Sequence, residues 1–219
     1  MIQKSSIILS FISKNMLHKE ILTKKQIEIM PLIKSFSQDF GLVGGTAIAL
    51  HIGHRRSIDF DLFTKKEFDN LVIRQNISKF SRIERVITDQ KNQYTVMVNG
   101  VRLTFLCYPY SIPFTKRFDN VIKIPDLLTL SAMKAQTIGR RVKWKDYIDL
   151  YFIMKDYYNL EEIVRKTKRI FLSEFNEKLF RVQLAYFKDI DYTEKVIYMK
   201  AFETKNDIIK KFLVGKALT

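Results

Sequence analysis

Asp59 and Asp61 lie two residues apart in a stretch, residues 58–63, where they alternate with apolar side chains. Residues two apart on a β-strand share a face, so both carboxylates would project from the same side of the strand. Two carboxylates at this separation repel each other unless a cation lies between them. The spacing therefore predicts a site for a hard divalent cation, Mg²⁺ or Mn²⁺, that also binds triphosphate oxygens. A solvated polar face is the alternative interpretation.

Gly44 and Gly45 follow a short apolar run, residues 40–43, and precede a short helical pattern at residues 46–52. Glycines between a strand and a helix let a phosphate approach the backbone, and the first N–H groups of the helix then face that anion. Thr46 adds a hydroxyl at the same place. The pattern predicts a phosphate-binding turn, and a tight turn without a ligand is the alternative.

Three further residues with chemical potential lie in the second half of the chain. Lys134 stands among small apolar residues of a helical pattern, where its cation can reach a phosphate. Asp146 and Asp149 are three residues apart and so share a helical face. Asp149 lies within a run, residues 147–154, that is otherwise apolar, so it either faces a site or anchors a buried network.

Basic residues accompany both groups of candidate residues. His54, Arg55 and Arg56 precede the strand with the two aspartates and could contact phosphate or an RNA acceptor, the alternative being a solvated loop. A second, aromatic and basic patch suits single-stranded nucleic acid, or else it packs at the start of a helix. The patch consists of Arg140, Arg141, Lys143, Trp144, Lys145 and Tyr147.

Hydrophobic periodicity indicates the elements that must position these residues. Strands are predicted at residues 40–43, 58–63, 82–88, 93–98 and 101–108, and helices at residues 24–38, 46–52, 66–80, 126–139, 144–157, 160–171, 174–187 and 192–214. The Asn99-Gly100 dipeptide predicts a hairpin between two of the strands. We expect an α/β (α+β) protein with a mixed-sheet domain at residues 1–120 and a helical bundle domain at residues 121–219.

Composition limits the class of protein and its partners. The 219 residues are 47% hydrophobic and 28% charged, which is typical of a globular chain. Lys and Arg total 38 against 23 acidic residues, and the net charge of +15 favours polyanionic partners unless Lys is simply the default surface residue. One cysteine excludes an internal disulfide. The apolar run at residues 6–12 is too short to span a bilayer and predicts one face of a short helix, so we expect a cytoplasmic protein without a membrane partner.

Two strings carry a resemblance to a known family: Gly-Gly-Thr-Ala at residues 44–47 and Gly-His-Arg-Arg-Ser-Ile-Asp-Phe-Asp-Leu-Phe at residues 53–63. They resemble the AbiEii/AbiGii-type toxin nucleotidyltransferases, within the DNA polymerase β-like superfamily, and Lys134 and Lys-Asp-Tyr-Ile-Asp-Leu at residues 145–150 extend the likeness. The resemblance implies a nucleotidyltransferase that moves an NMP from an NTP to an acceptor such as the 3′ end of tRNA. It also implies a toxin–antitoxin or phage-defence system with an antitoxin protein as partner.

The same resemblance implies a set of site residues. It implies metal binding by Asp59 and Asp61, nucleotide binding by Gly44, Gly45, Thr46, Arg56, Ser57 and Lys134, and catalytic roles for Asp59, Asp61, Lys134, Asp146 and Asp149.

One position departs from the superfamily pattern. A third carboxylate is expected within residues 101–106, where the sequence has Thr104. A threonine neither binds a divalent cation strongly nor accepts a proton near neutral pH. Either Asp146 or Asp149 then supplies the base, or activity is reduced or absent. The alternatives are an inactive nucleotidyltransferase fold that binds RNA or protein, and an enzyme that attaches AMP to a protein.

Overall fold

A mixed five-stranded sheet forms the first half of the protein, in the strand order β1-β2-β5-β4-β3. The computed structural model describes residues 17–138, 141 and 143–219, so the helix predicted at residues 6–12 lies outside the described residues. The strands are β1 (Gly41–Val43), β2 (Phe60–Thr64), β3 (Ile83–Gln90), β4 (Gln93–Val98) and β5 (Val101–Cys107). Strand β2 runs parallel to β5, and the other neighbours in the sheet are antiparallel.

Helices flank the sheet and make up most of the second half. They are α1 (Lys24–Glu28), α2 (Met30–Ser35), α3 (Gly44–Ile52), α4 (Asn70–Ser78), α5 (Leu127–Ile138), α6 (Trp144–Asp156), α7 (Leu160–Phe171), α8 (Glu177–Ala185) and α9 (Asn206–Ala217). A small hairpin, β6 (Lys116–Phe118) and β7 (Ile122–Ile124), precedes α5. Within the described ranges, no helix combines the length and apolar character that a bilayer span requires.

Strand β2 has the alternation that the sequence predicts. Phe60, Leu62 and Thr64 are buried, while Asp61 and Phe63 lie half-buried on the opposite face. The strand begins at Phe60, so Asp59 lies in the extended segment just before it. Strand β2 is an inner strand between β1 and β5. Phe60 and Leu62 on one face belong to the hydrophobic core, whereas Asp61 on the other face lines a cavity together with Lys134 of α5.

Helix α3 joins the sheet to the C-terminal helices. It starts at Gly44, directly after β1, and ends at Gly53, whose φ of 77° is the left-handed conformation that favours glycine at this position. Its residues 46–50 are all buried, and it packs against both α5 and α6. Side chains from the sheet and from these helices therefore share one hydrophobic core. The predicted α/β class with a mixed sheet is confirmed, while the division near residue 120 stays a prediction.

Two predicted helices differ in the structure. The helix predicted at residues 24–38 is broken into α1 and α2 at Ile29, because Pro31 at the start of α2 favours a new helix beginning there. The helix predicted at residues 192–214 starts only at Asn206. Residues 191–199 instead make backbone hydrogen bonds to other parts of the chain, which replace those of a local helix. The β6–β7 hairpin was not predicted.

Candidate active site

A polar cavity lies between the sheet and helices α5 and α6. Charged side chains dominate its lining, and they come from both halves of the chain. The cationic residues are Arg55, Arg102, Lys134, Arg141, Lys143 and Lys145, and the acidic residues are Asp59, Asp61, Asp146 and Glu194. Gly45 and Ser57 complete the wall nearest to helix α3. The structure thus brings together most of the residues that the sequence singled out.

Asp61 packs against the start of helix α3. Gly44 there has a φ of 72°, and a Cβ atom added to it would lie 2.1 Å from Asp61 Oδ2. Burial raises the pKa of Asp61, and the negative charge of Asp59 raises it further. Both causes disfavour two free carboxylates side by side, so a cation near them would be stabilised.

Asp59 is paired with a cation that sequence reasoning missed. Arg102 on β5 forms an ion pair with the Asp59 carboxylate. Arg102 lies two residues before Thr104, and Thr104 lies directly beside Asp61 in the register of β2 and β5. The alternation of β5 could have identified Arg102, since residues two apart on a strand share a face.

Strand β5 carries Thr104 beside Asp61, and Thr104 is the residue at the place where the superfamily pattern leads us to expect a third carboxylate. Thr104 faces the same side as Asp61, and neither it nor Arg102 supplies an acidic group. Among the described residues, no group of three or more His, Cys, Asp or Glu side chains could hold a metal ion. Asp59 and Asp61 fit a metal that takes its remaining oxygen ligands from a substrate or from water.

Lys134 lies beneath the cavity and is only 5% exposed. Its Nζ atom lies 2.7 Å from Asp146 Oδ1 and 3.1 Å from Asp149 Oδ2. Burial opposes a charge here, but Asp146 and Asp149 together raise the pKa of Lys134 above its ordinary value. The lysine is therefore a fixed positive charge at the edge of the cavity.

Asp149 is fully buried and belongs to a network of hydrogen bonds. Arg55 donates to both of its oxygens, from Nε at 2.8 Å and from a terminal nitrogen at 2.9 Å. His54 Nε2 donates to Asp149 Oδ1 at 2.8 Å. Although burial opposes ionisation, Arg55 and then Lys134 hold the pKa of Asp149 well below its ordinary value. The buried-network interpretation thus describes the surroundings of Asp149.

Asp146, unlike Asp149, faces the polar cavity. It lines the cavity, and besides Lys134 it accepts a hydrogen bond from Arg141 Nε at 3.1 Å. Since Arg141 is half-exposed, Asp146 lies at the boundary between the buried network and the open cavity. Of the two helical carboxylates, it is the one that a bound substrate could approach.

The residues predicted to bind nucleotide lie in different places. Gly45 and Ser57 line the polar cavity, and Gly44 lines a second cavity beside it. Thr46 is buried, and its hydroxyl donates to the backbone carbonyl of Asp59, with the carbonyl oxygen of Ser57 3.4 Å away, which fixes the loop before β2. Arg56 donates to the carbonyl oxygen of Leu22 at 3.2 Å and does not line either cavity.

The residues of the predicted aromatic and basic patch also lie in different places, some buried and some at the cavity. Trp144 and Tyr147 are buried and pack at the start of α6, whereas Lys143 and Lys145 line the cavity. Arg140 lies outside the described residues. Glu194 reaches the cavity from the segment that sequence reasoning assigned to a helix, so no local signal marked it as a site residue.

The second cavity is more apolar than the first. It shares Asp61, Lys134 and Arg141 with the polar cavity, so the two spaces adjoin. Its remaining wall includes the side chains of Ile48, Phe63, Tyr108, Leu130 and Met133. An apolar space next to a charged one suits a ligand with a flat ring at one end and an anionic group at the other.

Comparisons with known proteins identify the family of this chain. The family model of the AbiEii nucleotidyl transferase toxin of type IV toxin–antitoxin systems matches residues 33–205. An uncharacterized protein of Aquifex aeolicus is 34% identical over 178 residues, which cover 77% of this chain and 84% of that protein.

Solved structures show a similar fold. The nucleotidyltransferase toxin MenT4 from Mycobacterium tuberculosis aligns with a TM-score of 0.56 and 13% identity, over 88% of this chain and 81% of that chain. JHP933 from Helicobacter pylori aligns with a TM-score of 0.55 and 15% identity, over 92% of each chain. At these identities the likeness shows the fold alone.

Proposed function

Since this chain belongs to the AbiEii family of nucleotidyl transferase toxins, we propose that it transfers a nucleoside monophosphate from an NTP to an RNA acceptor. The family resemblance inferred from the sequence is thereby confirmed, and the acceptor and the site residues belong to the proposal. One observation supports it most: the pair Asp59 and Asp61 shares a cavity with Lys134 and Asp146. A triphosphate in that cavity would meet a metal-binding pair and a fixed cation together.

In this proposal Asp59 and Asp61 hold Mg²⁺ or Mn²⁺. The residues fit, because two adjacent carboxylates of like charge repel each other unless a cation lies between them, and a Cβ atom at Gly44 would collide with Asp61. The metal supplies neutralisation of negative charge on the triphosphate. Its affinity would depend on the substrate, since the protein offers only two carboxylate ligands among the described residues.

The protein's own residues then orient the triphosphate. Gly45 has no Cβ and lies beside Ser57 in the cavity wall, where backbone N–H groups at the start of α3 can approach a phosphate. Lys134 provides a positive charge that Asp146 and Asp149 hold in place. The nucleoside would occupy the adjoining apolar cavity beside Phe63 and Tyr108.

The reaction follows from this placement. A hydroxyl of the acceptor attacks the α-phosphorus of the NTP, a new phosphorus–oxygen bond forms, and the bond to pyrophosphate breaks. The hydroxyl proton passes to water or to Asp146, which lines the cavity and would release its hydrogen bond from the half-exposed Arg141 to accept the proton. Asp149 acts as a positioning residue, because it does not line the cavity and its oxygens are occupied by Arg55, His54 and Lys134.

RNA is the acceptor that the charge of the protein favours. A net charge of +15 attracts polyanions, and Lys143 and Lys145 bring positive charge to the cavity itself. Within a type IV toxin–antitoxin system we propose the 3′ end of tRNA as the acceptor, the cytoplasm as the place of action, and an antitoxin or phage-defence context as the means of control.

The test is transfer of label from each of the four α-³²P NTPs to bulk tRNA in the presence of Mg²⁺. Wild type and the D59A/D61A variant would be compared on a denaturing gel. Label on tRNA with wild type alone is expected, and it also identifies the nucleotide. Label on protein alone would instead support attachment of AMP to a polypeptide.

A second candidate function is favoured by one specific observation. Arg102 pairs with Asp59, and Thr104 replaces the third carboxylate, so the fold could serve only to bind RNA or a partner protein. No label on any acceptor, together with tRNA binding that is equal for wild type and D59A/D61A and independent of Mg²⁺, would establish this binding module instead.

A further inference from the structure

Residues 191–199, here called the strap, cross between two walls of the polar cavity. At one end, the backbone N–H of Trp144 donates to the carbonyl of Asp191 at 3.0 Å. At the other end, Arg56 N–H donates to the carbonyl of Ile197 at 2.8 Å, and Met199 N–H donates to the carbonyl of His54 at 3.0 Å. The strap is therefore tied to the start of α6 and to the loop before β2.

Glu194 lies in the middle of the strap, and its side chain enters the cavity. Its carboxylate forms an ion pair with Lys143, and its other oxygen lies 3.1 Å from Lys145 Nζ. The two lysines flank Trp144 at the start of α6 and line the same cavity as Asp59 and Asp61. A carboxylate of the same chain thus offsets one of the two positive charges that these lysines bring to the cavity.

This carboxylate is ionised under all physiological conditions. Burial raises the pKa of Glu194, but hydrogen bonds from Lys143 and Lys145 outweigh that effect and lower the pKa to about 2. The site therefore contains an anion that no change of pH near neutrality removes. Only a competing anion can take its place on the lysines.

We propose that Lys143 and Lys145 form a binding subsite for a phosphate group of the substrate, and that Glu194 occupies this subsite until the substrate displaces it. The identity of the substrate rests on the proposed function, but the chemistry of the subsite does not. The phosphate can come from the triphosphate of an NTP or from a phosphodiester of the RNA acceptor.

Two structural features make the exchange feasible. The Glu194 side chain is 31% exposed, and ion pairs that remain in contact with water are weak enough to exchange. The backbone hydrogen bonds that tie the strap are made by Asp191, Ile197 and Met199. The Glu194 side chain can therefore leave the lysines while the strap stays in place.

The experiment compares wild type with E194Q, which keeps the shape of the side chain and removes its charge. The control is E203Q, which removes the same charge from an exposed position between the strap and α9, outside the cavity. Binding of a fluorescent single-stranded RNA would be measured by anisotropy without NTP. Binding of an NTP analogue that cannot be cleaved would be measured by calorimetry without RNA, and thermal unfolding would check that each variant folds.

At low salt, E194Q is expected to bind one of the two ligands at least about fivefold more tightly than wild type does. E203Q should bind both ligands with the affinity of wild type. K143Q/K145Q should bind the same ligand more weakly, and the ligand affected identifies the source of the phosphate. If E194Q binds both ligands more weakly or without change, Glu194 orients the lysines or is neutral, and the proposal is overturned.

These experiments measure binding in the absence of turnover, so their outcome does not depend on whether the proposed transferase reaction takes place. Absence of label transfer by wild type would contradict the transferase, yet the comparison of E194Q with E203Q would still be decisive. Conversely, equal binding by all variants together with normal transfer would overturn the subsite of Lys143 and Lys145 and its occupation by Glu194, and would leave the transferase in place.

Discussion

The carboxylate of Asp61 lies directly against the backbone of Gly44, at a distance that leaves no space for a Cβ atom. The contact joins the first residue of helix α3 to the inner strand β2. It fixes the start of helix α3, where we propose that a phosphate binds, relative to Asp61, which we propose as a metal ligand. Its removal is a direct test of whether this geometry matters.

We expect G44A to lose roughly 100-fold or more of transferase activity, because displacement of a positioned group by about 1 Å has that effect. The new methyl group would clash with Asp61 Oδ2, and alanine disfavours the φ of 72°. Activity would be measured by label transfer at saturating NTP. G215A is the control, since a Cβ there meets nothing within 4 Å and alanine stabilises a helix by up to ~1 kcal/mol. Equal activity of both variants would contradict the importance of the contact.

The two helical carboxylates should differ in their contribution to stability. D149N leaves the buried cation of Arg55 without its carboxylate partner and should cost about 3–5 kcal/mol in the free energy of unfolding. D146N should lower the free energy of unfolding by about half of that amount or less. In this variant Lys134 still has Asp149 as an ion-pair partner, and Arg141 is half-exposed. Urea unfolding measures both.

The D146N and D149N variants should also differ in transferase activity. At a temperature where both variants are folded, D146N should lower kcat, because Asp146 lines the cavity, whereas D149N should retain more activity than D146N, because Asp149 does not line the cavity. A larger loss of stability in D146N than in D149N would contradict the assignment.

Stability should fall as the pH is lowered below about 6.5, the pKa of histidine in an unfolded chain. Burial lowers the pKa of His54 although its hydrogen bond to Asp149 opposes the shift, and burial lowers the pKa of His51 although its bond to Pro125 opposes it. The unfolded chain then binds protons before the folded one, so the stabilisation is complete above the unfolded pKa and is lost as the pH falls through the folded pKa.

Each histidine should contribute a slope of up to ~1.4 kcal/mol per pH unit in the free energy of unfolding. The measurement is urea unfolding between pH 7.5 and pH 5.5. H54Q should remove part of the slope and H51Q/H54Q the remainder, and only slopes are compared because H54Q also loses the bond to Asp149. The same slope in wild type and in the double variant would show that other groups cause it.

Arg102 should compete with a metal ion for Asp59. R102Q removes the cation from the ion pair, so we expect Mn²⁺ to bind this variant at least about threefold more tightly than it binds wild type. Calorimetry in the presence of a non-cleavable NTP analogue would measure this affinity, and D59N should abolish the gain. R85Q, at an exposed arginine of β3, is the matched control. Weaker Mn²⁺ binding by R102Q would mean that Arg102 organises the site instead.

Local pattern was sufficient to predict the aspartate pair. The alternation around Asp61 depends only on neighbouring residues, so the strand and its polar face could be read directly. Arg102 follows from the same logic once β5 is placed beside β2. The surroundings of Asp149 could not be predicted, because its partner Arg55 is 94 residues away in the chain.

The structure of the strap could not be predicted from local sequence pattern. Its apolar spacing resembles that of a helix, and the prediction of a helix over residues 192–214 was wrong for its first half. Hydrogen bonds to the carbonyl of His54 and to the N–H groups of Arg56 and Trp144 replace those of a helix. A periodic pattern contains no information about such distant partners.

The position of the strap in the chain has a consequence for biosynthesis. The ribosome adds residues from the N-terminus onward, so Asp59 and Asp61 emerge long before the strap. The loop that carries His54 and Arg56 gains its backbone partners only when Ile197 and Met199 have been made. A nascent chain halted before residue 191 therefore lacks one wall of the cavity, and the loop before β2 obtains these partners only after the strap has left the ribosome.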